Sequence, residues 1–182
     1  MHWGQSRYGG VMFSNNARPI DSIQLTNPTP WQIKYLGQFK YTFFFGTLGP
    51  EQNFSNTQIS GGKLSFMPAP FLEFAIARTI IFGGTGSPEA SALDIFKEFF
   101  GYRGQTQFDP VNPSANLSNA ISGFEMRFVI PPLQNLNLYA EFYFDDFAID
   151  RILTSFAQDS AITAGFYLPR LDNRGSLSLR VE

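Results

Sequence analysis

Residues 136–146 read LNLYAEFYFDD, and their side chains alternate between apolar and polar along the chain. The even positions from Leu136 to Phe144 are apolar, whereas the odd positions from Asn137 to Asp145 carry amide, hydroxyl or carboxyl groups. Successive side chains of a β-strand point to opposite faces, so this pattern predicts a strand with one apolar and one polar face. Its length matches the roughly 9–11 residues that a tilted strand needs to cross a bilayer.

The same alternation recurs in five other segments, at residues 38–46, 71–82, 121–130, 161–168 and 177–182. Two residues depart from it: Phe44 falls among the polar positions of its segment, and Arg78 falls among the apolar positions of its own. At Arg78 we expect a β-bulge or the boundary of the membrane. With weaker strands at residues 11–17 and 61–67, the sequence predicts about eight strands.

The connections between these segments alternate in length. Tight links fall at residues 67–70, 131–135 and 169–175, and long ones at residues 46–57, 83–119 and 145–160. This order is typical of a membrane barrel with short periplasmic turns and long external loops. We therefore predict an all-β fold, an antiparallel up-and-down transmembrane β-barrel, with residues 1–182 forming a single domain or a fragment of one. About eight strands could close a small barrel, but the last segment ends without a final aromatic residue, which favours part of a larger barrel.

The composition fits a barrel that faces lipid. Aromatic residues make up 16% of the chain, 21 of them Phe, while the mean hydropathy is near zero, as expected when an apolar outer face and a polar inner face average out. The net charge of −2 argues against a nucleic-acid binder, and the absence of cysteine excludes disulfides. The sequence contains no run of about 18 apolar residues, so no transmembrane helix is predicted. The first five residues lack the features of a signal peptide, so we expect the chain to begin inside a larger gene product or to be a mature form.

A short helix is predicted at residues 91–101, inside the longest connection. Ser91 can cap its N-terminus with Asp94 three residues later, and Gly101 can end it. Three apolar residues share one of its faces: Leu93, Phe96 and Phe100. We expect the helix to pack on the rim of the barrel, with a lid that grips a ligand as the alternative.

Residues suited to catalysis are scarce. His2 is the one histidine, so a Ser-His-acid hydrolase or a His-rich zinc site would have to use it. No Gly-x-Ser-x-Gly elbow is present, and residues 83–86 lack the Lys of a phosphate-binding loop. We therefore predict that the protein is not an enzyme and holds no metal or cofactor.

The polar phase of the strands directs charged side chains toward the lumen. We predict a lumen polar network formed by Lys40, Glu73, Glu125, Arg127, Glu141 and Arg180, with Asp145 and Glu182 in the same phase. Opposite charges on neighbouring strands pair readily, so a structural role is favoured. Two carboxylates across a cleft could instead run glycoside hydrolysis, which leaves a membrane-embedded hydrolase as the least favoured alternative.

Polysaccharide binding needs aromatic rings for stacking and polar groups for sugar hydroxyls. One external loop offers both in Tyr102, Arg103, Gln105 and Asp109, together with Gln107 and Phe108. Asp145 and Asp146 end a strand at the external side and could coordinate a cation or accept hydrogen bonds from sugar hydroxyls. Adjacent strand residues point to opposite faces, so a solvated loop start is the competing interpretation for this pair.

Several short strings resemble the capsule assembly (Wzi) family of outer-membrane proteins. They are Trp3-Gly4 followed by residues 13–19 (FSNNARP), residues 62–66 (GKLSF), residues 72–78 (LEFAIAR), and residues 138–141 (LYAE) with Asp145-Asp146. The resemblance spans nearly the whole chain in the same order. It implies a large monomeric barrel that acts as a lectin and helps to anchor capsular polysaccharide. Arg18 and Arg78 match motif positions whose role could be structural.

These observations favour a non-catalytic surface lectin of the bacterial outer membrane. Its expected partners are capsular or exopolysaccharide and outer-membrane lipid, with no nucleic acid, and the expected state is a monomer. A passive porin-like channel is the alternative.

Overall fold

The computed structural model describes residues 3–4, 10, 12–13, 19–52, 54–87, 91–100, 118–145, 160–172 and 174–182. Its elements, in chain order, are β1 (Asp21–Thr26), β2 (Trp31–Ile33), β3 (Gly37–Thr47), β4 (Gln58–Ala69), β5 (Leu72–Phe82), α1 (Ala92–Phe99), β6 (Ser118–Ile130), a 3₁₀ turn (Pro131–Leu133), β7 (Leu136–Asp145), β8 (Ser160–Leu168) and β9 (Leu179–Val181). Of the weak strand predicted at residues 11–17, the described part is Met12 and Phe13, and Phe13 forms a single bridge with Trp3. Among the described residues, no helix is both long and apolar enough to span a membrane.

All nine strands belong to one antiparallel sheet in the order β1-β3-β4-β5-β6-β7-β8-β9, with β2 paired to β3. Each strand from β3 to β9 pairs with its neighbour in the chain, which is the up-and-down topology predicted from the sequence. The sheet is open, because β1 and β9 are not paired with each other in the described part of the chain. The all-β prediction with one short helix is confirmed, and an open sheet fits a part of a larger barrel.

Residues 27–30 separate β1 from β2 along one edge of the sheet, and two of these four residues are prolines. Pro28 and Pro30 cannot donate backbone hydrogen bonds to the sheet. The Asn27 side chain bridges this gap, because its amide donates to the Phe39 carbonyl at 3.0 Å and its oxygen accepts from the Tyr41 N–H at 2.7 Å. The asparagine side chain thus makes the two hydrogen bonds to the β3 backbone that a paired strand residue would otherwise make.

The two faces of the sheet have opposite characters. One face, which we call the outward face, carries apolar side chains that stay exposed: Ile76 is 56% exposed and Ile162 is 59% exposed. The inward face carries polar groups that are buried, with Glu125 at 1% and Glu141 at 0% exposure. A water-soluble domain has the reverse arrangement, with apolar groups inside and charges outside.

The outward face forms a continuous apolar belt across six strands. The backbone register brings into one row Tyr41, Leu64, Ile76, Phe124, Phe142 and Ile162. The next row contains Phe39, Phe66, Phe74, Met126, Ala140 and Ala164. Because no second sheet covers these rows among the described residues, the aromatic side chains remain on the outside.

The inward face also holds one apolar cluster. Trp3, Phe13 and Phe44 meet edge to face, with ring centroids between 5.1 and 5.6 Å apart, and Ile59 packs beside them. Phe44 occupies a polar position in the alternating pattern of β3 because its side chain belongs to this apolar cluster on the inward face. Trp3 and Phe13, from the described part of the N-terminal segment, therefore pack against the inward face of the sheet.

Arg78 lies in an uninterrupted strand, so of the two expectations for this position the bulge is wrong, and the membrane boundary stays a prediction. The pairing of β5 with β6 runs in register from Leu72 to Phe82, and the β4–β5 register shifts instead between Phe66 and Ala69, beside the tight turn. The Arg78 side chain stays in the outward phase, where its guanidinium donates to the Ser122 hydroxyl at 2.7 Å.

Helix α1 begins and ends close to where the sequence predicts. Ser91 and Asp94 form a complete capping box, and Phe100 is the C-cap. The helix packs on the outward face, with Ile95 and Phe99 against a cluster of buried residues on β5 and β6: Ile80, Phe82 and Ala120. The apolar face identified in the sequence does not make this contact, because its three residues are exposed by about half or more.

Candidate functional site

Two carboxylates form the centre of a polar network on the inward face. Glu125 on β6 and Glu141 on β7 are cross-strand partners in the register. Lys63 on β4 donates to both Glu125 oxygens, at 2.8 and 2.7 Å. The Tyr143 hydroxyl donates to Glu141 at 3.1 Å. Because like charges on opposed residues repel, a cation and a hydroxyl donor are needed to hold both side chains in this interior.

Gly4 lies directly against this network. A Cβ added to Gly4 would come within 2.7 Å of a Glu141 carboxylate oxygen, and the φ of Gly4 is +120°. Only glycine accepts both the close approach and this backbone conformation without strain. The Trp3-Gly4 pair quoted for the family resemblance therefore has a structural reason on the inward face.

A second ion pair lies near the tight turns. The Arg127 guanidinium donates twice to one Glu73 oxygen, at 3.0 and 2.8 Å. These residues are direct cross-strand partners on β5 and β6. Both side chains are partly exposed, at 30% for Arg127 and 20% for Glu73, so solvent screens this pair and its contribution to the stability of the sheet is small.

A third cluster joins β7, β8 and β9. The Tyr139 hydroxyl donates to Glu182 at 2.6 Å, and the Arg180 guanidinium donates to both the Tyr139 hydroxyl and Glu182. The same guanidinium lies 4.4 Å from the centre of the Tyr167 ring, a cation–π contact. This cluster holds the short strand β9 to the sheet.

The structure brings together five of the six residues predicted to form the lumen network, in three separate clusters rather than one. Lys40 is exposed and takes part in none of the contacts found among the described residues. Sequence reasoning missed three members: Lys63, Tyr139 and Tyr143. A signal for Lys63 was present, because it lies between Gly62 and Leu64 in the polar phase of β4.

Glycines on the inward face make room for the tyrosines of these clusters. Gly123 is the cross-strand partner of Tyr143, and a Cβ on Gly123 would come within 2.6 Å of that ring. Gly165 is likewise the cross-strand partner of Tyr139, and a Cβ added to Gly165 would lie 2.6 Å from the Tyr139 hydroxyl oxygen. Pairing a glycine with an aromatic residue on the next strand covers the exposed glycine backbone and fixes the register.

The buried carboxylates are poorly suited to catalysis. Glu125 is held by Lys63, and both carboxylates lie within 1% of complete burial, so a glycan has no access to them. Within the described residues there is no group of His, Asp and Glu that could hold a metal ion. His2, the one histidine, lies outside the described residues.

The long connections all leave from one end of the sheet. Residues 48–57 join β3 to β4, residues 83–117 join β5 to β6, and residues 146–159 join β7 to β8. The register confirms their common side, because Thr47 pairs with Gln58 and Phe82 pairs with Ser118. Asp145 is exposed at this end. The other predicted sugar-binding residues lie outside the described residues: Tyr102, Arg103, Gln105, Asp109 and Asp146.

A family model described as capsule assembly protein Wzi matches residues 1–182 of this chain. The chain belongs to this family. The match covers the whole length, so the family resemblance drawn from the short strings is confirmed.

This Wzi-family chain is also similar to a protein of Klebsiella pneumoniae whose name is "Uncharacterized 55.8 kDa protein in cps region". The two are 23% identical over 135 residues, which cover 71% of this chain and 25% of that protein. The chain thus spans about a quarter of the length of this curated relative. No solved structure matches the chain.

Proposed function

We propose that this Wzi-family chain forms part of an outer-membrane β-barrel that binds capsular polysaccharide as a surface lectin and helps to assemble or anchor the capsule. The observation that carries the proposal is the inverted sheet, with exposed apolar side chains outward and buried charges inward. Its partners would be the polysaccharide and outer-membrane lipid. The protein would act as a monomer and without catalysis.

The apolar belt supports the membrane location. Exposing Ile76, Phe142 and Ile162 together in water would be unfavourable, at about 25 cal/mol per Å² of apolar surface. Contiguous apolar surface of this extent marks a membrane or a protein interface. The strands also have about the right length, because tilted strands of nine to thirteen residues match the thickness of the hydrocarbon core of a bilayer.

The common side of the three long connections supports a binding surface at one end of the barrel. Loops of this length at one end, opposite tight turns at the other, match external loops and periplasmic turns. The longest connection contains Tyr102, Arg103, Gln105 and Asp109, which supply a stacking ring, a cation and hydrogen-bonding groups for sugar hydroxyls. We propose these residues, with Asp145 and Asp146, as the polysaccharide contacts.

The packing of the inward face favours a lectin over a porin-like channel. The aromatic cluster of Trp3, Phe13 and Phe44 and the buried ion pair of Lys63 with Glu125 occupy space that a channel would leave to water. In planar bilayers the intact protein should therefore pass little current. A steady conductance of the size seen for general porins would instead support the channel.

Binding of purified capsular polysaccharide to the detergent-solubilised full protein tests the function. The protein would be immobilised and the polymer passed over it, for the unchanged chain and for Tyr102→Ala and Arg103→Ala. Arg174→Ala, in the tight turn at the opposite end, is the matched control. We expect binding by the unchanged protein and the control, and at least about tenfold weaker binding by the two loop variants.

Two results would count against the proposal. If neither the polymer nor its oligosaccharides bind to the correctly folded protein, the lectin function is wrong. If binding persists in both loop variants and falls in Arg174→Ala, the contacts lie at the other end of the sheet. Far-UV circular dichroism of each variant would establish that the β-sheet is intact.

A further inference from the structure

A groove of about 410 Å³ opens on the outward face beside α1. Its floor is formed by β4, β5 and β6, with Leu64, Ile76 and Phe124 from the apolar belt. Phe99 and Phe100 at the end of α1 form one wall, and Phe43 and Phe144 line its sides. The groove therefore starts under the helix and continues into the apolar belt toward the middle of the sheet.

The chain accommodates the helix at this place through a glycine. A Cβ on Gly62 would come within 2.8 Å of the Phe99 ring and within 2.7 Å of the Phe43 ring. The missing side chain lets the end of α1 approach the sheet and leaves space below it. Leu93 and Phe96 do not line the groove, and they are 60% and 57% exposed. Asp94, Lys97 and Glu98 occupy the opposite side of α1, so the helix is amphipathic, and its apolar side is wider than the part that Ile95 and Phe99 pack against the sheet.

One cation lies in this groove. Arg78 is the one charged side chain in the outward phase of strands β3 to β8 as described, and it lines the groove beside Ser122. It lies one row closer to the long connections than Ile76. A ligand that follows the groove thus meets a cation at one end and aliphatic or aromatic side chains along the rest.

We propose that this groove holds an acyl chain of a phosphate-bearing membrane lipid whose phosphate contacts Arg78. The inference rests on the proposed outer-membrane location. An acyl chain has no polar groups, whereas a peptide in the same groove would leave backbone groups unpaired against the apolar lining. The guanidinium group matches phosphate geometry and gives charge-assisted hydrogen bonds. The lipid chain would fill the space between α1 and the sheet and stabilise the position of the helix.

Native mass spectrometry of the full protein in a mild detergent tests this site. The probe is dioleoylphosphatidylglycerol, and dioleoylglycerol, which has the same chains and no phosphate, is the matched lipid. Arg78→Gln removes the cation and Leu64→Trp fills the groove. Ile162→Trp enlarges a side chain in the same apolar row but outside the groove, and is the control for the substitution itself.

We expect one retained phosphatidylglycerol per protein, held by the unchanged chain and by Ile162→Trp. Arg78→Gln should bind this lipid about tenfold more weakly while its weak binding of dioleoylglycerol stays the same, and Leu64→Trp should retain neither. Equal retention of phosphatidylglycerol by the unchanged protein, Arg78→Gln and Leu64→Trp would overturn the proposal. So would a lipid-free dimer that Leu64→Trp converts to monomers, because the groove would then be an interface between two copies.

Polysaccharide binding by the same variants separates this inference from the proposed function. The groove lies on the outward face and the proposed glycan contacts lie in the long connections. We expect Arg78→Gln and Leu64→Trp to bind capsular polysaccharide as the unchanged protein does. Loss of lipid retention with normal glycan binding supports the groove. Normal lipid retention in a protein that binds no glycan would leave the lipid site standing and remove the lectin.

Discussion

Glu125 and Glu141 are direct cross-strand partners on β6 and β7, and both side chains are almost completely buried. Two carboxylates in this position would repel each other strongly in an interior of low dielectric constant. Lys63 and Tyr143 supply the compensating hydrogen bonds, and Gly4 allows the chain to close over them. This part of the inward face of the Wzi-family chain is therefore held by polar contacts, beside the apolar cluster around Phe44, while the other large apolar side chains of the strands face outward.

Removing Lys63 should destabilise the protein strongly. In Lys63→Met the Glu125 carboxylate stays buried without its cation, which costs about 3–5 kcal/mol of unfolding free energy. The double variant with Glu125→Gln should recover much of this loss, because the buried charge is then gone. Urea unfolding in detergent micelles measures both effects. Lys40→Met, which removes an exposed cation on the neighbouring strand β3, should change stability by less than about 0.5 kcal/mol. Additive losses in the double variant would contradict the pairing.

Filling the space beside Tyr143 should disturb the same network. In Gly123→Val the new side chain would overlap the Tyr143 ring and move its hydroxyl away from Glu141. We expect a loss of about 1–3 kcal/mol, as for other overpacked interiors. Ala164→Val, which adds the same bulk at an exposed outward position on β8, is the control and should be nearly neutral. A Gly123→Val protein as stable as the unchanged chain would refute this arrangement.

Two neighbouring phenylalanines on β3 should respond differently to truncation. Phe44 is 4% exposed in the inward cluster with Trp3, whereas Phe45 is 47% exposed on the outward face. Phe44→Ala should cost about 3–5 kcal/mol because it leaves a cavity. Phe45→Ala should cost clearly less, since its surroundings can rearrange around the smaller side chain. Thermal unfolding in the same detergent compares the two, and equal losses would mean that Phe44 has no packed partners.

The tight turn after β8 should loosen in acid. The Ser176 hydroxyl and the Leu177 N–H donate to the Asp172 carboxylate, which holds the pKa of Asp172 below its ordinary value. A lowered pKa in the folded state means that the turn gains stability above the unfolded pKa of about 3.9 and loses it as the pH falls through the folded value. The protection factor of the Leu177 amide, which compares its exchange rate with the intrinsic rate at the same pH, should therefore fall at low pH, and in Asp172→Ala it should be low at every pH. A Leu177 protection factor that stays constant as the pH falls in the unchanged protein would contradict this role.

Much of the fold could be predicted from the sequence because a strand has a fixed period of two. The alternation in residues 136–145 directly gave the two faces of β7, and the lengths of the connections gave the order of the strands. Contacts between distant segments could not be predicted in this way. Phe44 has its partners in the N-terminal residues, and Lys63 has its partner two strands away, so neither contact leaves a local pattern.

The helix shows the same limit. Ser91 and Asp94 predict the start of α1 because a capping box is local. Which part of the apolar side of α1 contacts the sheet depends on its packing against β5 and β6, which the local sequence of the helix does not encode. Ile95 and Phe99 contact the sheet, while Leu93 and Phe96 face away from it. The Arg78 side chain is a similar case, because it breaks the apolar phase of β5 without breaking its register.

We propose that the apolar face of this sheet contacts lipid and that the polar face does not, and the membrane location and the lipid site both depend on this orientation. The chain has no cysteine, so single spin labels can be placed without removing native residues. Labels at Ile76, Phe142 and Ile162 would report on the outward face, and a label at Thr163, beside Ile162, would report on the inward face. Electron paramagnetic resonance in liposomes then compares collisions with oxygen, which concentrates in lipid, and with a water-soluble nickel complex. We expect the three outward labels to collide frequently with oxygen and rarely with nickel, and the label at Thr163 to show no such preference. Outward labels that collide mainly with nickel, or with neither reagent, would contradict this orientation.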